Sequence, residues 1–345
     1  MTTSPQPSQT TQQPVIAEAR LDLLTDLFAD EMVRVNEVII EKMGSDVPLI
    51  PQLAGHLIAA GGKRLRPLLT LAGAAAGPQK QALPVEAHYL AAAVEFIHNA
   101  TLLHDDVIDK SEQRRGRQTA NAVWGNEASV LVGDFLFARA FELMVETSDL
   151  EVLRLLSSAS AQITEGEVKQ MTLQGAPESA RDDYLTVIRN KTAILFAAAA
   201  EAGARVGGAS EQNRDALHAY GLALGMAFQI CDDAIDYVAD EAVSGKNCGD
   251  DFYERKITLP VILAWENADE TERGFMTRTL ANGEFEDGDL SQMQAILDHY
   301  DAIPRSLAVA RTETEAAITA LAGLENQTLS EALAAAARFA AKRAY

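Results

Sequence analysis

The chain has 345 residues, and its 29 Lys and Arg against 50 Asp and Glu give a formal net charge of −21, which argues against nucleic-acid binding. Hydrophobic residues make up 48% and charged residues 23%, the balance of a globular protein with a sizeable core, so disorder of the whole chain is excluded. Two cysteines, Cys231 and Cys248, cannot build a secreted disulfide framework and fit a reducing, cytoplasmic setting.

Residues 1–16 begin with MTTSPQPSQTTQQPV, which has no Lys, Arg or apolar run; this segment reads as a disordered tail rather than a targeting peptide. From Leu21 onward, Leu24, Phe28, Met32, Val35, Ile39 and Met43 recur at spacings of three and four, the stripe of one amphipathic helix. Similar periodicity predicts helices over about 84–110, 126–147, 150–174, 178–206, 211–240, 287–322 and 328–343. Sustained strand alternation is absent and alanine runs such as Ala197 to Ala200 favour helix. The expected fold is therefore all-α. Short Gly and Pro breaks at 44–48, 77–84, 175–177, 245–249 and 283–288 separate the segments without a long linker, so 17–345 reads as a single domain. Ala216 to Cys231 is a 16-residue stretch without Asp, Glu, Lys or Arg, a length matched by Val47 to Gly62. It falls short of the roughly 20 residues a membrane span needs and reads as a buried helix.

One short pattern occurs twice. DDVID covers Asp105 to Asp109 and DDAID covers Asp232 to Asp236, each ending an apolar helical segment. On a helix the first and last carboxylates share a face, with Asp106 or Asp233 about 100° away. Such carboxylates repel one another unless a cation intervenes. Oxygen ligands without His or Cys suit Mg2+, which binds through one or two carboxylates together with substrate phosphates and water. Two facing clusters point to metal-assisted departure of diphosphate.

Basic residues gather in three places despite the negative total. These are Lys63, Arg64 and Arg66 in GGKRLRP, Arg114, Arg115 and Arg117 in RRGR, and Lys246 and Lys256 in GKNCGDDFYERK. Clustered Arg and Lys in Gly-containing loops bind phosphate oxygens through charge-assisted hydrogen bonds, although a basic turn before a Pro-started helix is also an ordinary solvated surface. No GxxxxGK[ST] loop is present, which disfavours nucleotide binding. Gly221, Gly225 and Gln229 align with Asp232 and Asp236; this face reads either as close helix packing or as an open cavity below the metals. Lys191 and Thr192 are a polar pair in apolar surroundings.

The segments EFIHNATLLHDDVIDKSEQRRGRQTAN, GNEASVLVGDFLFARAFELM, GGKRLRP, QICDDAIDY and GKNCGDDFYERKITLP resemble the trans-type isoprenyl diphosphate synthases, in particular the long-chain polyprenyl branch that makes quinone side chains. The resemblance covers roughly Gly61 to Pro260 and keeps the family's motif order and spacing. It implies a helical bundle around a deep cavity, a homodimer, three Mg2+ ions, and condensation of isopentenyl diphosphate with an allylic diphosphate. By this resemblance Asp105 and Asp109 hold two ions, with Asp106 in the same catalytic motif, and Asp232, Asp233 and Asp236 hold the third. Arg114, Lys191, Lys246 and Lys256 serve the allylic diphosphate; Lys63, Arg66, His98 and Arg115 serve isopentenyl diphosphate; Thr192 and Gln229 place oxygens near the allylic cation.

Ala100 and Thr101, one turn before the first motif, lack the bulky aromatic that closes the cavity in short-chain relatives, which points to a long product. Product release then implies a transient contact with a membrane. Two departures stand out: Lys169 occupies a position where relatives commonly have an apolar residue, and the basic C-terminal tail of some relatives is reduced to Lys342 and Arg343. The alternatives are a short-chain synthase, a non-catalytic subunit of a heteromeric synthase, and a metal-dependent phosphohydrolase suggested by the dipeptide His104-Asp105.

Overall fold

The computed structural model describes residues 20–59, 62–78, 82–114, 116–238 and 248–342. The tail expected over 1–16 lies outside these residues, as do Arg115 and Lys246. The fold is all-α, with one short ribbon among the described residues, β1 (Gln113–Arg114) paired antiparallel to β2 (Arg117–Gln118). In chain order the helices are α1 (Asp22–Leu27), α2 (Ala29–Lys42), α3 (Leu49–Ala59), α4 (Leu65–Ala75), α5 (Val85–Ile108), α6 (Ala120–Trp124), α7 (Asn126–Glu146), α8 (Leu150–Leu173), α9 (Arg181–Ile188), α10 (Ile194–Val206), α11 (Glu211–Asp236), α12 (Asp250–Tyr253), α13 (Leu259–Trp265), α14 (Glu270–Met276), α15 (Asp289–His299), α16 (Ala302–Ala320) and α17 (Gln327–Lys342).

The longest helices follow the periodicity within a few residues. Three expected helices are interrupted. The stripe from Leu21 to Met43 breaks at Phe28, where φ is −116° and ψ 19°, so the first helix is two. The segment 178–206 contains a π-helical turn, Arg189–Ala193. The segment 287–322 breaks at Asp301, in the left-handed region with φ 50°. Pro304 signals that last break, because proline is tolerated in a first helical turn and disrupts a helix interior.

Two apolar clusters form the core, and α11 joins them. Leu217, Tyr220 and Leu224 belong to the cluster that also takes in residues of α2, α4, α5, α7, α8, α10 and α17. Met226, Ile230, Cys231 and Ala234 pack with α13 to α16. The alanine run of α10 is fully buried, and its small side chains let α4 approach closely. A Cβ at Gly203 would fall 1.9 Å from the Thr70 carbonyl, and one at Gly73 would fall 2.1 Å from that of Ala200. The glycines of α11 serve the same purpose: a Cβ at Gly221 would lie 2.5 Å from the Phe196 carbonyl, and one at Gly225 would lie 2.5 Å from Ala193 Cα. Close packing, not an open cavity, accounts for them.

Candidate active site

The C-terminal ends of α5 and α11, the loop before α4, the π turn and the segment around α12 enclose a cavity of about 1110 Å³, larger than most small-molecule sites. Asp105, Asp109, Asp232 and Asp236 line it, together with Asp250 and Asp251 from α12. Lys63, Arg66 and His98 line it from the side of α4 and α5, and Arg114, Lys191 and Lys256 complete the cationic rim. Thr101, Ile163, Met171, Phe196 and Phe228 supply apolar wall. One cavity thus holds anionic, cationic and apolar surfaces.

Asp106 does not line the cavity and is 1% exposed. Its Oδ1 accepts from Arg114 Nε at 3.0 Å and Nη2 at 2.8 Å. This carboxylate therefore holds an arginine at the rim instead of facing substrate itself. Arg114 also sits on the ribbon, whose turn uses Gly116 at φ 72°, a conformation glycine adopts without strain. Asp233 lines the cavity but is only 6% exposed. Its Oδ2 accepts from Tyr184 Oη at 2.6 Å and its Oδ1 from Gln229 Nε2 at 2.7 Å. Thr192 Oγ1 donates to Gln229 Oε1 at 2.9 Å.

The π turn presents Lys191 and Thr192 to the cavity. Gly166 lets α8 cross this turn, since a Cβ there would lie 2.7 Å from the Lys191 nitrogen. Next to it, Glu167 pairs with Lys191 at 2.5 Å, while Asp105 Oδ2 is 3.8 Å from the same ammonium. Lys169 bridges to Asp183 at 2.8 Å and so ties α8 to α9.

Lys256 links the first acidic cluster to the segment around α12. Its Nζ is 3.0 Å from Asp109 Oδ2 and 4.0 Å from Asp251 Oδ1, and it also pairs with Glu254. Burial pulls this ammonium down, but Asp251, Asp109 and Glu254 outweigh that and hold it above its ordinary value. The loop is anchored from α8, where Gln174 Nε2 donates to the Glu254 carbonyl at 2.7 Å and Gly175 N to that of Arg255 at 3.1 Å. Asp236 accepts from the Asp251 nitrogen at 3.0 Å.

On the opposite wall Arg64, with φ 49°, caps α4 and pairs with Glu95 at 2.9 Å. This contact sets the loop that carries Lys63 and the first turn of α4 that carries Arg66. Lys63 Nζ lies 4.1 Å above the Phe339 ring, and the Arg66 guanidinium 4.3 Å above that of Phe196, both within cation–π range.

Burial, together with Glu167 and Asp109, pushes Asp105 up to about 6 against the pull of Lys191. Burial and Asp251 push Asp233 up to about 7, with Tyr184 and Gln229 opposing. Crowded carboxylates of this kind are relieved by a cation. Among the described residues no three His, Cys, Asp or Glu side chains form a ready-made metal shell. The all-oxygen cavity set instead fits Mg2+ held by one or two carboxylates from each motif, with diphosphate and water completing the coordination.

Of the expected chain-length residues, Thr101 is on the wall, whereas Ala100 is fully buried in the core behind it. Tyr184, Glu95, Glu167, Asp250 and Asp251 were not singled out in the sequence. Asp250 and Asp251 carried a signal, a further DD pair inside GKNCGDDFYERK. Tyr184 carried none, being one aromatic in an apolar stripe.

Residues 47–297 match the family model described as polyprenyl synthetase. The chain is 40% identical to the octaprenyl diphosphate synthase of Escherichia coli K12, over 94% of this chain and 99% of that protein. It superposes on the crystal structure of a decaprenyl diphosphate synthase from Rhodobacter capsulatus with a TM-score of 0.89 and 48% identity, covering 94% of this chain and all of that one. A polyprenyl synthase from Caulobacter crescentus CB15, complexed with calcium and isoprenyl diphosphate, superposes with a TM-score of 0.91 at 46% identity, covering 96% of this chain and 100% of that one.

Proposed function

We propose, from the premise that this chain belongs to the polyprenyl synthetase family, that it condenses isopentenyl diphosphate with an allylic diphosphate repeatedly to give a long all-trans product of octaprenyl to decaprenyl length. The protein is a prenyltransferase of the long-chain polyprenyl diphosphate synthase type. The observation that carries the reading is the single cavity in which two aspartate clusters face two separate basic groups above an apolar wall.

In this reading the allylic diphosphate sits between Asp105, Asp109, Asp232 and Asp236, with Arg114, Lys191 and Lys256 on its oxygens. These carboxylates would hold Mg2+, three ions in the family reading, which would supply positive charge to the leaving diphosphate. The C1–O bond breaks with its electron pair leaving on diphosphate. Lys63, Arg66 and His98 hold isopentenyl diphosphate so that its C4 attacks C1. A proton then passes from C2 of the isopentenyl unit to the released diphosphate as the C2–C3 double bond forms, and the product is an allylic diphosphate one unit longer. Thr192 and Gln229 direct oxygen toward the cationic carbon, in walls that exclude water. No side chain forms a covalent intermediate. Separate basic groups keep donor and acceptor distinct, although both carry the same headgroup.

The remaining assignments follow the family resemblance: one α-helical domain over 17–345, a homodimer, a cytoplasmic location, a quinone side chain as the product's destination, and transient membrane contact for its release. No helix among the described residues is long and apolar enough to cross a membrane. The decisive experiment is incubation with labelled isopentenyl diphosphate and an allylic primer, with products identified by mass spectrometry. Elongation is expected with Mg2+ and none in EDTA, and Asp105→Ala or Asp232→Ala should lower turnover by orders of magnitude. Near-normal rates in either variant overturn the assignment.

A further inference from the structure

We infer that Tyr184 and Asp233 are a positioning pair that fixes the amide of Gln229, so that the second aspartate of DDAID orients a cavity group and does not ligate an ion. This rests on the prenyl-transfer reading above. The argument begins with hydrogen-bonding capacity. An amide presents a donor end and an acceptor end of nearly equal shape, and only its partners decide which end points where. A carboxylate accepts, so Asp233 Oδ1 at 2.7 Å selects Nε2. The Gln229 oxygen is thereby left for the Thr192 hydroxyl at 2.9 Å and for the cavity that both residues line.

Asp233 needs an anchor of its own. Tyr184, 4% exposed on α9, donates to Oδ2 at 2.6 Å. With one oxygen held by Tyr184 and the other by Gln229, the carboxylate is oriented by protein on both sides. The neighbouring Asp232 and Asp236 line the cavity from the same helix. The first motif divides its work in the same way, with Asp106 buried and gripping Arg114 through two donors. Asp106 lies behind the cavity and Asp233 lines it, but in both motifs the second aspartate is bound by protein donors.

Without the chain from Tyr184 to Asp233, the Gln229 amide can turn its positive NH2 end toward the reacting carbon. That penalises the step in which positive charge develops and leaves diphosphate binding intact. Tyr184→Phe is expected to lower kcat about tenfold, with both KM values within about twofold of wild type. The sharper test is a double-mutant cycle with Gln229→Ala: once the amide is gone, Tyr184→Phe should cost little more. Additive losses would mean a general structural role and overturn the inference.

A binding measurement complements the cycle. Calorimetric titration of the full chain with Mg2+ and inorganic diphosphate should give Asp233→Asn an affinity within about threefold of wild type, and Asp232→Asn a far weaker one. Equal weakening of both variants makes Asp233 a ligand and sinks the proposal. If wild type itself fails to elongate, the prenyl-transfer reading fails; if it elongates and the cycle is additive, only the positioning role does.

Discussion

Neighbouring residues on one helix can have opposite fates, and Ala100 and Thr101 show why that matters for product length. Thr101 is half-buried on the cavity wall, while Ala100 is completely enclosed by core side chains. Both lack the bulk that would block a growing chain, but only Thr101 has the position to do so. Thr101→Phe is expected to shift the product toward shorter chains while the first condensation continues, as read by mass spectrometry of the prenyl alcohols. Ala100→Phe forces a ring into packed core and should cost about 1–3 kcal/mol of stability, visible in denaturant unfolding. An unchanged product distribution in Thr101→Phe would place the floor of the cavity elsewhere.

At the scale of elements, the amphipathic stripes and alanine runs made the long helices legible, because apolar periodicity is what buries a helix face. The two aspartate motifs were legible for a similar reason: adjacent carboxylates at the end of an apolar helix conflict with burial and need an explanation. What stayed hidden depends on backbone detail or on distant neighbours. The π turn at Arg189–Ala193 adds no residue type that marks it, yet it presents Lys191 and Thr192 to the cavity. The protein partners of Asp106 and Asp233 are Arg114 and Tyr184, which the five-residue pattern does not contain. Caps were equally invisible as energetics. Asp149 caps α8 through the Glu151 and Val152 nitrogens and pairs with Arg205 at 2.8 Å. Burial pulls its carboxyl up, but Arg205 and the two backbone groups outweigh that and hold it below its ordinary 3.8. The stabilisation is therefore present above pH 3.8 and lost as pH falls through the lower folded value. Asp149→Ala should cost about 0.5–2 kcal/mol at neutral pH, and the difference from wild type should shrink in acid denaturation series.

At the scale of the whole molecule, a long face of α7 is uncovered among the described residues. On α7, Leu131 is 67% exposed, Val145 61% and Phe141 41%, and their spacing puts them on one side together with Ala138. In the proposed homodimer this face is the one expected to meet the second copy of the chain. Leu131→Glu combined with Val145→Glu is expected to halve the mass measured by light scattering, and a dimer that persists in the double variant would place the interface elsewhere. The opposite end of the chain returns to the site: α17 packs on the first core cluster and sets Phe339 beneath the Lys63 ammonium. In the proposed assignment of Lys63 to isopentenyl diphosphate, a diphosphate that drew Lys63 away would compete with that ring, and occupancy of that site would be linked to docking of the last helical turn. The contact is worth roughly 0.5–1 kcal/mol, so saturating isopentenyl diphosphate should speed amide hydrogen exchange in residues 338–342 by about two- to fivefold, and unchanged exchange would show the two to be uncoupled. By that linkage the carboxyl-terminal turn becomes a built-in gauge of substrate occupancy.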